Sequence, residues 1–163
     1  MSERDDAARK IVETHVWYSA GAGLIPVPLL DMAVITGINL NLIKRLSTHY
    51  GVEFKEDRGK AIVGALAGGL STGVLAQNPA ANTILRTIPL VGQTLATLSM
   101  SVFGGAFTYA VGQVFVQHYA TGGTMLDFDA AKARTFVSEQ YEKGKQMLRR
   151  KPAAAPTETP APA

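Results

Sequence analysis

The chain of 163 residues contains no cysteine. This excludes a disulfide framework, a thiolate nucleophile, thiol redox chemistry and any sulfur-ligated zinc or iron–sulfur site. Histidine is also scarce: His15, His49 and His118 are far apart and lack the i, i+3 or i, i+4 histidine or acidic partner of a helical metal site. Ser71, Ser99 and Ser101 lie in apolar stretches without a neighbouring acid–base pair, which leaves a hydrolase without machinery. The residues therefore point to a protein that is not an enzyme and needs no metal or cofactor.

Charge is the most unevenly distributed commodity. The formal net charge is only +3, but between Ala61 and Leu126 the single charged side chain is Arg86. A water-facing surface carries about a quarter of its residues ionised, so this stretch is expected to be buried in protein, in an oligomer interface or in lipid. The remaining charges gather at Glu3–Glu13, Lys44–Lys60 and Asp127–Lys151. Between Val16 and Ile43 the only one is Asp31.

What is there reads as helix throughout. Ala8, Ile11, His15, Tyr18 and Ala22 recur at spacings of three and four, the period of one helical face, after an acidic start that suits a helix N-terminus. Pro26 and Pro28 break that helix; a second begins near Pro28 and ends at Gly51, closing a helical hairpin. A third, from about Asp57 to Gln77, is dense in small residues, with Gly64 and Gly68, and Gly69 and Gly73, as two small-xxx-small pairs that favour close helix packing. A fourth runs from about Leu90 to Tyr119. On it Ser101, Gly105 and Tyr109 share one face, and Gly104, Thr108 and Gly112 another, so small and hydroxyl residues are expected to line a helix–helix or oligomer seam. After ATGGT, a last amphipathic helix from Asp127 to about Lys151 carries an apolar stripe of Ala130, Ala133, Val137, Tyr141 and Leu148. No segment alternates as a half-buried strand does. The fold is expected to be all-α: helical hairpins with long apolar Gly/Ala-rich helices over residues 1–151, and a disordered Pro/Ala-rich tail over 152–163.

The run GLIPVPLLDMAVITGINLNLIKRLSTHYG, from Gly23 to Gly51, resembles the DUF697 family, which joins a small-residue helix to an I-P-x-P-x-x-D turn and a helix ending in Tyr-Gly. TIPLVGQ and FTYAVGQVFVQHYATGG, the latter from Phe107 to Gly123, are similar to its closing helix. The resemblance implies helical membrane association beside a GTPase, as in C-terminal regions of some Era-like GTPases and in YcjF-type inner-membrane proteins. This chain has no G-x-x-x-x-G-K-[ST] loop, so the GTPase implied would be a separate partner.

Two lone charges invite two readings each. Asp31 either complements the positive start of its helix or is a buried anchor paired with Arg86, or with Lys44 and Arg45 of a neighbouring subunit. Arg86 is alternatively a solvated cation between two apolar segments. Lys143, Lys145, Arg149, Arg150 and Lys151 give the last helix a basic face suited to anionic lipid at a membrane surface; interspersed acids and the lack of interleaved aromatics argue against nucleic acid.

The expected function is a membrane-associated, self-assembling protein that organises or shapes a membrane patch. On this reading Ala61–Gln77 and Leu90–Val116 form a transmembrane hairpin in the cytoplasmic (inner) membrane, both termini cytoplasmic, and subunits form a homo-oligomer through their small-residue faces. The mixed-charge start shows no signal peptide. The alternative is a cytoplasmic helical scaffold or shell whose apolar segments are buried between subunits, favoured by a mean hydropathy of only +0.10.

Overall fold

A thirty-residue helix, Val91–Ala120, organises the chain. The computed structural model describes residues 3–22, 28–77 and 91–150, with side-chain surroundings for 3–22, 33–70 and 101–150. In chain order the helices are α1 (Glu3–Ala22), α2 (Pro28–Tyr50), α3 (Glu56–Gln77), α4 (Val91–Ala120) and α5 (Ala130–Arg150). Among the described residues there is no strand, and the fold is all-α.

Helix boundaries follow local chemistry. Pro28 opens α2, where its missing N–H costs nothing. Gly51, at φ +72°, ends it: its N–H donates to Thr48 O and that of Val52 to Ser47 O at 2.8 Å, the paired bonds of a left-handed C-terminal cap. Gly122, at φ +87°, repeats the device after α4, with the Gly123 N–H donating to His118 O at 2.9 Å. At the start of α5 the N-cap is Asp129, whose Oδ1 accepts from the Ala131 and Lys132 N–H groups at 2.9 and 3.2 Å. The helix therefore starts slightly later than its acidic lead-in suggested, because Asp127 serves the preceding loop.

Helix α4 packs chiefly against α1 and α5, and then against α2. Phe107, Val111 and Phe115 on α4 are buried against Val12 and Val16 of α1, Leu42, Ile43 and Leu46 of α2, and Val137 and Tyr141 of α5 in one core. The buried face of α1 is centred on Val12, Val16, Ser19 and Ala20; Ile11 and Tyr18, expected on it, are only half-buried. The rotation is set by fit, since Val12 and Ser19 stand opposite Gly112 and Gly104.

Two expectations are corrected here. Helices α3 and α4 do not form a close hairpin: among the described residues α3 lies against α5 and α2 and touches α4 only slightly. Nor, among the described residues, is any helix long and apolar enough to cross a membrane. The transmembrane hairpin of Ala61–Gln77 and Leu90–Val116 is set aside accordingly. Glycine, serine, threonine and glutamine dilute the hydropathy of α4, and between Gly104 and Phe115 most of its residues are enclosed by the chain's own helices. Intrachain burial, rather than lipid, accounts for the missing charge over that part of the uncharged run.

Candidate membrane interface

The up-and-down arrangement gathers most charges of α1, α2 and α3 at one end of the bundle, while those of α5 run on to the other. At the first of these ends His49 Nε2 donates to Arg4 O at 2.8 Å, joining the end of α2 to the start of α1. Ser47 Oγ and Tyr119 OH lie 2.9 Å apart, joining α2 to the end of α4. Burial pushes the Tyr119 hydroxyl above its ordinary value, which keeps it a neutral hydrogen-bonding group. The loop between α4 and α5 is held there by Arg58 of α3, whose Nε donates to Met125 O at 3.1 Å and whose Nη2 donates to Phe128 O at 3.2 Å and reaches Leu126 O at 3.4 Å. Phe128 stacks on Phe115, ring centroids 4.8 Å apart.

Asp127 completes this loop. Its Oδ1 accepts from the Thr124 N–H at 2.6 Å and the Thr124 hydroxyl at 2.9 Å, while His118 Nε2 donates to Thr124 O at 2.8 Å. The two bonds from Thr124, more than the nearby His118, hold the Asp127 carboxyl below the usual carboxylate range. A depressed folded-state value means that the contribution to loop order is complete above the unfolded carboxylate pKa and is lost as pH falls through the folded one. The protection factor of the Thr124 amide, its exchange rate relative to the unfolded chain at the same pH, is therefore expected to fall at pH below the ordinary aspartate range, and Asp127→Asn to remove that dependence; an unchanged protection factor in acid would exclude the bond's role.

From the middle of the bundle to the opposite end the helices meet through small residues. Ser101 Oγ donates to Ala20 O at 2.5 Å, and Thr108 Oγ1 donates to Ser19 Oγ at 2.6 Å while accepting from Asn39 Nδ2 at 3.1 Å. A Cβ on Gly104 would lie 2.9 Å from Ser19 O, one on Gly105 2.7 Å from Leu148 Cδ1, and one on Gly112 2.5 Å from Val12 Cγ1. Thus Ser101, Gly104, Gly105, Thr108 and Gly112 all line contacts of α4 with α1, α2 or α5 inside one chain. The glycines of α3 lie differently: Gly64 and Gly68 are exposed, and Gly69 sits beside the Arg134 side chain. Gly73 is in α3, with its surroundings outside those described.

The basic residues of α5 divide. Lys143, Arg149 and Arg150 are exposed. Lys145 is half-buried, 2.8 Å from Glu142 Oε1 and 5.4 Å from the Tyr141 ring centroid, so its charge is locally engaged. Asp31 lies in the first turn of α2, its side chain outside those described; Arg86 and Lys151 lie outside the described residues, as does the tail over 152–163. The Asp31–Arg86 pairing is therefore outside them too.

Several contacts escaped sequence reasoning. Gly144 of α5 packs on the α4 backbone, where its Cβ would meet Ala106 Cα at 2.9 Å. The register of Val137, Tyr141 and Leu148 passes through Gly144 and was the available signal. Nothing in DRGK announces that Arg58 would clamp a loop 67–70 positions away. His15 is buried, its Nδ1 donating to Ile11 O at 2.7 Å. Among the described residues no three metal-ligating side chains gather.

The fold is thus that of a small helical bundle in which α1, α2 and α3 carry most of their charge toward one end and α5 carries Arg149 and Arg150 to the other. The chain belongs to DUF697, a domain of unknown function, whose family model matches residues 1–146. It is similar to Magnetosome membrane protein 22 of Magnetospirillum gryphiswaldense, at 38% identity over 144 residues that cover 88% of this chain and 73% of the relative. No solved structure matches.

Proposed function

We propose that this protein is a non-enzymatic, membrane-associated helical protein that self-assembles to organise or shape a membrane patch. The observation that carries the reading is the uncharged stretch 91–100 at the start of α4, at the same end of the bundle as the exposed Arg149 and Arg150 of α5, since an uncharged segment beside cations suits an anionic bilayer surface. The similarity to a protein named for the magnetosome membrane supports the membrane association within it. The non-enzymatic reading is supported by His15 and His118, each donating to a backbone carbonyl of its own turn or loop. A separate GTPase partner rests on the family resemblance alone, and the localisation proposed is the inner membrane with both termini on its cytoplasmic side.

A second reading, a scaffold or shell assembled without lipid, has one observation in its favour: Ala61, Gly64 and Ala65 leave an exposed small-residue face on α3. Fractionation of expressing cells separates the two. The membrane reading expects most of the protein in the membrane pellet. Recovery in the supernatant as a large detergent-free species would transfer the assignment to the scaffold, and a detergent-free monomer would end both.

A further inference from the structure

We infer that the protein enters a single leaflet of an anionic bilayer, residues 91–100 of α4 leading, with Arg149 and Arg150 against lipid phosphates and Trp17 at the headgroup boundary. The inference rests on the membrane reading proposed above and specifies which end engages, how deeply, and with what lipid chemistry.

The depth comes from helix lengths. Helix α4 meets α1 at Ser101, which bonds Ala20 two residues before α1 ends, and meets α5 at Gly105, against Leu148 two residues before α5 ends. Residues 91–100 therefore run on past the described ends of α1 and α5 by about 15 Å at 1.5 Å per helical residue, beside the first turns of α2, which starts at Pro28, seven residues before the Ile35 that faces Gly104. Their sequence, VGQTLATLSM, contains no charge. A hydrocarbon core is about 30 Å thick, so such a projection reaches about halfway. One leaflet is the depth this geometry allows, and it agrees with the absence, among the described residues, of a helix able to cross.

The surroundings of the projection match a headgroup region. Arg149 and Arg150 are exposed at the end of α5, level with the last turns of α1. Trp17, the chain's one tryptophan, is half-buried one turn before Ala20; an indole at this height suits the interfacial zone. In sequence, segments 16–32 and 70–100 together contain two formal charges, Asp31 and Arg86, of opposite sign. The other end of the bundle presents Arg4, Lys55, Arg58, Asp127 and Asp129, a mixture that has no preference for an anionic surface.

The native lack of cysteine makes the test direct. Full-length protein carrying Thr97→Cys or Thr121→Cys, labelled with an environment-sensitive fluorophore, is floated with vesicles of phosphatidylcholine alone or mixed with phosphatidylglycerol. Expected are flotation with the mixed vesicles, a blue shift at position 97 but not 121, and quenching of Trp17 by lipids brominated near the headgroup. Arg149→Gln with Arg150→Gln is expected to weaken binding about 30-fold, from about 1 kcal/mol per cation at an anionic surface, with an unchanged melting temperature. Lys55→Gln with Lys60→Gln is the opposite-end control and should leave binding unchanged. Flotation with a shift at 121 instead of 97, or with Trp17 unquenched, overturns the orientation and leaves the membrane reading standing. Equal binding to both vesicle types overturns the anionic preference assigned to Arg149 and Arg150. No binding to either overturns the membrane reading itself.

Discussion

Gly144→Ala is expected to destabilise the bundle by about 1–3 kcal/mol, the cost of forcing a methyl group into a filled contact. The added Cβ meets Ala106 Cα at 2.9 Å and Ala106 O at 3.1 Å, and backbone cannot rotate aside as a side-chain tip can. Gly104→Ala meets Ser19 O at 2.9 Å and belongs to the same class. The internal control has the opposite sign. Gly64 is exposed, with nothing within 4 Å of its Cβ position, so Gly64→Ala keeps every contact and gains helix propensity of up to about 1 kcal/mol. Denaturant unfolding of the three variants checks this, and an unchanged or raised stability of Gly144→Ala would refute the intrachain seam. If Gly64 is instead covered by another subunit, Gly64→Ala should weaken the oligomer at a stability that depends on protein concentration.

The second large effect concerns the buried hydroxyls. Thr108→Val is nearly isosteric, but it removes the donor to Ser19 Oγ and one of the two acceptors of Asn39 Nδ2, all three side chains being fully buried. Leaving a buried polar group unsatisfied costs about 1–3 kcal/mol, and the loss in unfolding free energy should fall in that range. Asn39 already carries a buried Oδ1 with no protein partner, so this part of the core has no spare hydrogen bond to redistribute. Ser19→Ala alone is expected to cost a similar amount, and the double variant less than the sum, because removing both ends of a bond leaves neither stranded. Strict additivity would mean that Ser19 and Thr108 act independently.

How much of this was readable in advance depends on the range of the interaction. Helix ends were legible because their causes are local: Pro28 suits a first turn, and Gly51 and Gly122 accept the positive φ that ends one. The small residues of α4 were recognisable as a packing surface from spacing alone. Their partners were not. Nothing local distinguishes a glycine facing a bilayer, a second subunit or α1, and the absence of charge over α4 fits all three. Arg58 is the extreme case: a cation in a charged run, unremarkable in sequence, aimed at carbonyls of a distant loop. The basic residues of α5 illustrate the same limit, since composition groups Lys145 with Arg149, while the fold pairs the first with Glu142 and leaves the second exposed.

By itself the amino-acid order determined an all-helical chain, its helix ends and the uneven placement of its charges, because propensity, capping and hydrophobic period act within a few residues. Tertiary structure decided that α4 is covered by α1 and α5 rather than hairpinned with α3, that Gly144 and Arg58 matter, and that the charges of α1, α2 and α3 gather at one end. Those outcomes depend on which surfaces fit without voids or stranded hydrogen bonds, and fit is a property of pairs of helices brought together from distant parts of the chain.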